Sequence, residues 1–348
     1  MKGSLSRRDF LKLGGLALGS LAFSPFLPET SAFEDVELVR VATDSVSVHV
    51  QPNDEYRIVT TWPRDSVVHV YETVVAETPA YNPVWYRVWG GYMHRARLQK
   101  VKVIYNQPLS AIPESGLLGE ITVPYAQAYQ YDALNGWRTT YRLYYESVHW
   151  ITAVEEGPDR GPWYRILDEL DESIYYVPAP QVRIIPPHEL DPLSPEVPFE
   201  QKRVEVSLAA QLLTCYEYDQ PVFQATISSG LAGLSGPDRE PTNTPTGRFN
   251  IRVKMPSKHM GNADLAADID DYVIPGVPWV AFFTERGHAF HGTYWHDNFG
   301  VPMSHGCINM RTPEAKWLFR WLQPAAAFEE IDKRTLDRRG FGTQVIIY

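Results

Sequence analysis

One short stretch, residues 287–311 (GHAFHGTYWHDNFGVPMSHGCINMR), concentrates the groups of this sequence that are capable of nucleophilic chemistry. It contains Cys307, one of the two cysteines in the chain, together with four of the ten histidines. A cysteine attacks a carbonyl group as its thiolate, and a nearby imidazole can take the thiol proton at neutral pH. Gly292 follows His291 and Gly306 precedes Cys307, and glycine lets backbone N–H groups approach a developing oxyanion. The spacing therefore predicts a Cys–His nucleophilic site.

The same stretch resembles the signature of the L,D-transpeptidase catalytic domain, found in bacterial enzymes that rebuild peptide cross-links in peptidoglycan. The residues that carry the resemblance are His291-Gly292, Ser304-His305-Gly306-Cys307-Ile308-Asn309, the flanks Val277-Pro278-Trp279 and Thr293-Tyr294-Trp295-His296, and a second, weaker motif, Asn243–Phe249. The similarity extends over about residues 202–348. It implies a β-rich catalytic domain with a few short helices, and it says nothing directly about the residues before it.

The residue types and the resemblance together predict a division of roles within the site. Cys307 is expected to be the nucleophile, and His291 the general base that takes the thiol proton and returns one to the leaving amine. The backbone N–H groups of Gly306 and Cys307 are expected to stabilise the oxyanion. The resemblance implies that the backbone carbonyl of Gly292 fixes the tautomer of the His291 ring.

The neighbouring polar and aromatic residues carry less specific expectations. Ser304 is expected to hold the nucleophile loop, and His305 either supports this loop by hydrogen bonding or only packs. Asn309 and Arg311 are candidates for binding polar substrate groups, although Arg311 is equally compatible with a structural ion pair. Three residues are expected to form the wall of the substrate pocket: Tyr294, Trp295 and His296. His288 is interpreted as a structural histidine.

The resemblance implies acyl transfer in two steps, without a metal ion or another cofactor. Cys307 attacks the peptide bond after the third residue of a tetrapeptide stem and expels the terminal D-alanine. An amine from a neighbouring stem then resolves the thioester and gives a 3→3 cross-link. Carbapenem-type β-lactams are the implied inhibitors. Hydrolysis of the same thioester, an L,D-carboxypeptidase activity, is an alternative outcome.

A different class of function is a non-catalytic wall-binding protein with a zinc site. Its ligands would come from His288, His291, His296, His305 and Cys307. The spacing of these residues lacks the closed CxxC or HxxxH pattern of zinc sites, which disfavours this alternative. The second cysteine, Cys215, lies in an apolar, strand-like run and is predicted to be a buried structural thiol.

Composition sets the broad class of the protein. The chain has 348 residues and is 44% hydrophobic, which is enough for two or three globular domains. Its formal net charge is −10, so it lacks the basic surplus that nucleic-acid binding requires, and no nucleic-acid partner is expected. Aromatic residues make up 13%, which fits β-rich cores and also fits surfaces that contact glycan.

Residues 1–32 are predicted to be a twin-arginine signal peptide. Arg7-Arg8 precede a weakly apolar segment at 13–27 that is short for a membrane span, and Thr30-Ser31-Ala32 offers small residues for cleavage. An uncleaved anchor is the alternative. The protein is therefore expected to be exported, to the cell wall or periplasm.

Residues 36–104 and 105–185 are predicted to be two small SH3-like barrels, which makes the whole chain mainly β. Apolar and polar residues alternate in three short runs of the first barrel, residues 46–50, 66–71 and 85–89. Trp163-Tyr164-Arg165 echoes Trp85-Tyr86-Arg87, which indicates a duplicated module, although residues 126–156 have no clear pattern. Both domains are as compatible with glycan contact as with a spacer role.

Residues 186–200 are rich in proline and are predicted to be a semi-rigid, extended linker before the catalytic domain, residues 201–348. Strand patterns within that domain cover residues 203–213, 212–218, 222–228, 279–284 and 344–348. Residues 254–277 are polar and interrupted by glycine and proline, so a long substrate-wall loop is expected there. Thr312-Pro313-Glu314 predicts a helix start, with a capping hydroxyl and a proline at the first position.

Overall fold

Strands dominate the secondary structure, as the alternating sequence patterns predict. The computed structural model describes residues 37–231, 242–260, 274–324 and 342–348, and the predicted signal peptide lies outside them. These ranges contain 24 strands and one α-helix, so the prediction of a mainly β chain is confirmed. The same ranges hold four short 3-10 turns: Arg95–Arg97, Ala179–Gln181, Pro187–Leu190 and Phe199–Gln201. None of the described helices has the length and apolar character that a membrane crossing requires.

Eight strands, β1–β8, form two antiparallel sheets that we call the N-terminal sheets. Their bounds are Leu38–Val41, Ser45–His49, Ile58–Pro63, Val67–His69, Glu72–Val75, Val84–Val88, Gly91–His94 and Leu98–Val101. The strand order is β4-β1-β8 in one sheet and β3-β2-β7-β6-β5 in the other. Inward-facing residues of both sheets, among them Val39, Val48 and Met93, are buried in one shared core.

Seven strands, β9–β15, form one antiparallel sheet, the middle sheet, in the order β11-β10-β14-β13-β12-β9-β15. Their bounds are Leu117–Ile121, Tyr125–Asp132, Gly136–Tyr144, Val148–Glu156, Pro162–Leu167, Ile174–Pro178 and Val182–Ile184. Residues 126–156, which show no clear pattern in the sequence, hold most of three of these strands. Asn135-Gly136 turns β10 into β11, and Gly136 has a φ of +70°, a conformation that favours glycine.

Nine strands, β16–β24, form two further sheets, the C-terminal sheets, with one helix, α1. The strands are Lys202–Ser207, Leu212–Glu217, Gln220–Thr226, Gly247–Asn250, Val253–Met260, Ile274–Phe282, Ala289–Gly292, Ile308–Met310 and Gln344–Ile347, and α1 is Thr312–Trp321. The first sheet has the order β18-β17-β16-β24-β19, and the second β20-β21-β22-β23. Strands near residues 203–213, 212–218, 222–228 and 344–348 are therefore confirmed.

The prediction of a long loop over residues 254–277 is wrong for both parts that the structure describes. Residues 254–260 belong to β20 and residues 274–277 to β21, and these two strands pair with each other. Lys258 and His259 on β20 are polar yet buried. They meet Glu169 and Asp168, which follow β13 of the middle sheet, at 2.8 Å and 2.7 Å. The local sequence pattern predicts that such polar residues are exposed to solvent. It carries no information about partners that lie about 90 residues away in the chain.

The helix α1 begins at Thr312 itself, so the predicted helix start is shifted. Arg311 occupies the N-cap position without a side-chain cap, which corrects the expected capping hydroxyl, and Pro313 is the second helical residue. The buried face of the helix consists of Thr312, Ala315, Leu318, Phe319 and Trp321. It packs against β21 and β22 and supports the strands that carry the predicted site.

The largest hydrophobic core joins the C-terminal sheets to the middle sheet. It combines Trp279 of β21 and Leu318 of α1 with Trp150 of β12. Leu190, from the predicted linker at residues 186–200, is buried in the same core. This segment is packed rather than extended, because its apolar side chain gains more from burial in the core than from exposure in a free linker.

Candidate active site

Cys307, His291 and Asn309 lie on two neighbouring strands at the edge of the second C-terminal sheet. β22 and β23 pair in parallel, with His291 opposite Asn309. Cys307 directly precedes β23. Because alternate residues of an extended chain face the same side, Cys307 shares the side on which Asn309 and His291 lie. The thiol and the imidazole that the motif predicts are therefore brought to one face.

The Cys307 thiol is half-buried and neutral at rest. Its S–H donates to the backbone carbonyl of Gly287, with Sγ 3.7 Å from that oxygen. The side chain packs against an apolar cluster that includes Val280 and Ala289. Burial raises the pKa of the Cys307 thiol to about 11, although the backbone N–H of Ala289 offsets part of the effect. Such a thiol needs a base before it can act as a nucleophile.

The His291 ring is buried and is held as a neutral tautomer with its proton on Nδ1. Nδ1 lies 3.0 Å from the carbonyl oxygen of Gly292, and a carbonyl can only accept a hydrogen bond. Burial lowers the pKa of His291 to about 4, so Nε2 carries a lone pair at neutral pH. Trp295 packs beside the ring, with the two ring centroids 5.6 Å apart. Nε2 is thus the atom of His291 that can accept a thiol proton.

Ser304 closes the loop that presents Cys307. Its hydroxyl donates to the carbonyl of Cys307, and its Oγ accepts the N–H of Gly306 at 3.2 Å. Gly306 has a φ of +118°, and a Cβ there would lie 2.7 Å from Cδ2 of His288, so only glycine fits. The Gly306 N–H is engaged within the loop, which differs from its expected role as an oxyanion donor. The role of the Cys307 N–H as the other oxyanion donor stays a prediction.

Thr244, which the sequence pattern does not single out, ties the nucleophile loop to a neighbouring segment. Its hydroxyl donates to the carbonyl of Gly306 at 2.9 Å, and its Oγ1 accepts the N–H of Gly230 at 2.8 Å. The available signal was the weaker family motif, Asn243–Phe249, which taken alone is also compatible with an ordinary turn.

His296 connects the nucleophile strand to the segment that follows His291. Its Nδ1 accepts the backbone N–H of Asn298 at 3.1 Å, and its Nε2 lies 2.9 Å from the side-chain amide of Asn309. Burial, together with the positive charge of Arg97, lowers the pKa of His296 to about 3. The ring is therefore neutral at physiological pH. This residue, expected in the pocket wall, lies instead in the buried support of the site.

The other predicted residues are distributed around this support. Tyr294 is buried, and its hydroxyl donates to the carbonyl of Pro275 at 2.9 Å. Arg311 forms an ion pair with Glu314 at 3.4 Å, which favours the structural interpretation of this arginine. His305 is half-buried, desolvation lowers its pKa, and its ring makes no hydrogen bond within the described ranges. This last arrangement favours simple packing over loop support.

The residues of the zinc alternative do not form a ligand set. In the part of the chain that the structure describes, no group of three or more His, Cys, Asp or Glu residues is arranged to hold a metal ion. Nδ1 of His288 lies 2.8 Å from Oγ1 of Thr284, and both ring nitrogens of His296 contact protein groups. Cys215 is fully buried, which confirms the prediction of a structural thiol.

Comparison with known families assigns the C-terminal part of the chain. Residues 201–347 match a family model described as YkuD, the L,D-transpeptidase catalytic domain. The matched segment contains the C-terminal sheets and every residue of the predicted site. The match covers 147 residues (201–347) of the 348 in the chain. Among curated proteins, no sequence matches the chain.

Several solved structures resemble the chain at low sequence identity. An L,D-transpeptidase (residues 123-326) from Xylanimonas cellulosilytica is 23% identical, with 42% of this chain and 60% of that chain covered and a TM-score of 0.30. An L,D-transpeptidase from Mycobacterium smegmatis is 16% identical, with 58% and 91% covered and a TM-score of 0.32. L,D-transpeptidase 3 from Mycobacterium tuberculosis, in complex with a faropenem-derived adduct, is 17% identical, with 58% and 90% covered and a TM-score of 0.31. The chain covers between 49% and 60% of the length of the first four structures that it matches.

Proposed function

We propose that the protein is an exported L,D-transpeptidase that forms 3→3 peptidoglycan cross-links through a thioester on Cys307. The family match of residues 201–347 supports this class of reaction. The observation that carries the proposal is the parallel pairing of β22 with β23. This pairing brings a neutral imidazole, with a lone pair on Nε2, to the face on which a half-buried thiol lies.

In the first step, Nε2 of His291 accepts the thiol proton while the sulfur of Cys307 attacks the carbonyl carbon of the third stem residue. The new C–S bond places negative charge on the carbonyl oxygen, and the N–H of Cys307 is the proposed donor to it. When this intermediate collapses, the C–N bond to D-alanine breaks. The imidazolium gives its proton to the leaving amine, so the products are a thioester and free D-alanine.

In the second step, an amine from a neighbouring stem attacks the thioester carbonyl. A C–N bond forms and the C–S bond breaks, while His291 transfers the amine proton to the departing sulfur. One peptide bond is broken and one is formed over the whole cycle. The exchange therefore conserves most of the bond free energy, and the proposed mechanism uses only the groups of this chain and its substrates.

The proposed partners follow from this reaction. Peptidoglycan stem peptides serve as donor and acceptor, and carbapenem-type β-lactams acylate Cys307 in place of the donor. The twin-arginine pattern at Arg7-Arg8 supports export to the cell wall or periplasm. Contact of the predicted SH3-like domains with glycan stays a prediction, with a spacer role as its alternative.

The test uses protein that begins near Phe33, incubated with purified disaccharide-tetrapeptide and analysed by mass spectrometry, with Cys307→Ala as the matched control. Dimers that lack one D-alanine, formed only by the unmodified protein, are the expected result. Monomeric tripeptide alone would move the assignment to an L,D-carboxypeptidase, in which water resolves the thioester. Unchanged substrate across several stem chemistries, without a carbapenem adduct on Cys307, would reject the proposed site.

A further inference from the structure

Arg40 is a buried arginine that reaches from the N-terminal sheets to the segment that follows His291. It lies on β1, and only 2% of its surface is exposed. Nη2 donates to the backbone carbonyl of Tyr294 at 3.0 Å, although the two residues are 254 positions apart in the chain. Arginine is rarely buried to this extent unless specific acceptors surround its guanidinium. The contact with Tyr294 is therefore one of the specific hydrogen bonds that allow the guanidinium of Arg40 to be buried.

The other acceptors of Arg40 come from the N-terminal sheets and hold the guanidinium rigidly. Nη1 donates to Asp65 at 2.9 Å, and Nε and Nη2 donate to Oε1 of Gln99 at 3.1 Å and 2.8 Å. The guanidinium also stacks over the ring of Tyr144 on β11, 3.9 Å from its centroid. Asp65 in turn accepts a hydrogen bond from Arg142 of β11. One side chain thus joins the N-terminal sheets, the middle sheet and the predicted catalytic domain.

The segment that Arg40 touches, residues 293–299, is named here the support segment. It is also held by the N-terminal sheets at its far end. The backbone N–H of Asp297 donates to the carbonyl of Ala96 at 3.1 Å, and the side chain of Asn82 donates to that of Asn298. The N-terminal sheets therefore fix the support segment both near its beginning and near its end.

The support segment carries two side chains that contact the candidate active site. Trp295 packs beside the ring of His291, and His296 contacts the amide of Asn309 on the nucleophile strand. The segment therefore touches the general base on one side and the strand of the nucleophile on the other. A shift of its backbone would change the alignment of His291 with Cys307.

We propose that Arg40 is a positioning residue of the active site, an inference that rests on the function proposed above. By holding the carbonyl of Tyr294, its guanidinium aligns the imidazole with the thiol. The N-terminal sheets accordingly take part in acyl transfer, beyond any role as a spacer or wall anchor. Arginine is required because its planar fork serves several acceptors at once, whereas lysine offers a single ammonium group. Misalignment by about 1 Å lowers a reaction rate by about 100-fold.

The test compares the full chain with Arg40→Met and Arg40→Lys. The matched control is Arg165→Met, which removes an arginine that pairs with Glu155 within the middle sheet at 3.0 Å. Release of D-alanine from the tetrapeptide gives kcat and KM, thermal unfolding reports stability, and NMR of the imidazole nitrogens reports the His291 and His296 tautomers. In Arg40→Met we expect kcat to fall by about 10- to 100-fold with KM within about twofold, together with shifted His296 signals.

Arg40→Lys keeps a charge beside Asp65, so it is expected to fold even if the methionine variant does not, and to show a smaller loss of kcat. Unchanged kcat and unchanged histidine signals in a folded Arg40 variant would overturn the proposal. An equal loss in Arg165→Met would do the same, since it would trace the effect to general stability. If the unmodified chain releases no D-alanine, the proposed function fails, while the histidine signals still decide whether Arg40 positions the site.

Discussion

Nε2 of His296 lies 2.9 Å from the side-chain amide nitrogen of Asn309, and the tautomer of the histidine constrains how this amide is oriented. Nδ1 of His296 accepts an N–H, so the proton of the neutral ring sits on Nε2 and needs an acceptor. Oδ1 of Asn309 is buried and has no hydrogen-bond partner within the described ranges. If the Asn309 side-chain amide is rotated by 180°, Oδ1 of Asn309 accepts the Nε2–H of His296. The two N–H bonds of the Asn309 amide then take the position that Oδ1 held.

Replacing His296 with phenylalanine keeps a ring in place but removes both hydrogen bonds. Each buried polar group that loses its partner costs about 1–3 kcal/mol, so the free energy of unfolding should fall by at least that amount. Acylation of Cys307 by a carbapenem should also slow, because Asn309 loses its support. Urea unfolding and mass spectrometry measure the two effects. His188→Phe, at an exposed position, is the control, and equal losses in both variants would contradict this role.

Alkylation of Cys307 by iodoacetamide should accelerate steadily between about pH 6 and about pH 10. The thiol has a pKa of about 11 and His291 a pKa of about 4, so the resting pair is neutral and the thiolate fraction grows throughout this range. The rates are obtained by quenching the alkylation at a series of times and measuring the modified protein by mass spectrometry. A Cys215→Ala variant is used so that Cys307 is the only thiol. A rate that is already constant below about pH 7 would instead indicate a preformed thiolate–imidazolium pair.

Thr244→Val should weaken the nucleophile loop while nearly preserving the shape of the side chain. Valine leaves the N–H of Gly230 and the carbonyl of Gly306 without the Thr244 hydroxyl, at a cost of about 1–3 kcal/mol. D-alanine release should slow with it, because Gly306 precedes the nucleophile. Thr246→Val, on the exposed part of the same loop, is the matched control. Retention of full stability and rate in Thr244→Val would argue against this support.

Three buried histidines should make the folded state sensitive to mild acid. Burial lowers the pKa of His149 to about 3, of His291 to about 4 and of His296 to about 3, against about 6.5 in an unfolded chain. The unfolded state therefore binds protons first, and the free energy of unfolding falls as the pH drops from about 6.5 towards 4.

Glu146 acts in the opposite direction in this range. Burial raises its pKa to about 7, so its protonation favours the folded state. Burial also raises the pKa of Asp297 and of Glu314, which act in the same direction as Glu146. The lowered pKa values of His69, His94 and His305 add to the effect of the three buried histidines. Urea unfolding at a series of pH values between about 7.5 and 4.5 measures the sum. A free energy of unfolding that stays level or rises towards pH 5 would show that the three rings are not neutral and buried in solution.

The strands and the position of the reactive loop follow from local patterns in the sequence. Short alternating runs, such as residues 85–89, predict strands because one face of each is buried and the other is not. The spacing of His291 and Cys307 predicts a pair, and the parallel register of β22 and β23 places both on one face. Both results depend on residues close in sequence or on a motif with a fixed order.

The features that the sequence does not predict correctly depend on residues that are distant in the chain. Lys258 and His259 give β20 the polar pattern of a loop, because the acidic residues that contact them belong to another part of the chain. The contact of Arg40 with Tyr294 has no local signal at all, since it joins residues 254 positions apart. The hairpin at Asn135-Gly136 is different, because its turn signal, an Asn-Gly pair, is local in the sequence.

The parallel pairing of β16 with β24 also determines how the protein must fold. Arg203 pairs with Gln344, so the ladder closes a loop of 141 residues (344 − 203). Contacts this far apart in sequence form slowly, because the entropy of the connecting chain is lost before the contacts stabilise anything. Until β24 inserts, β16 and β19 present open edges that can pair with other molecules. We expect late amide protection of β16 and β24 in pulsed hydrogen exchange and falling refolding yields at high protein concentration, and early protection of both strands would contradict this order.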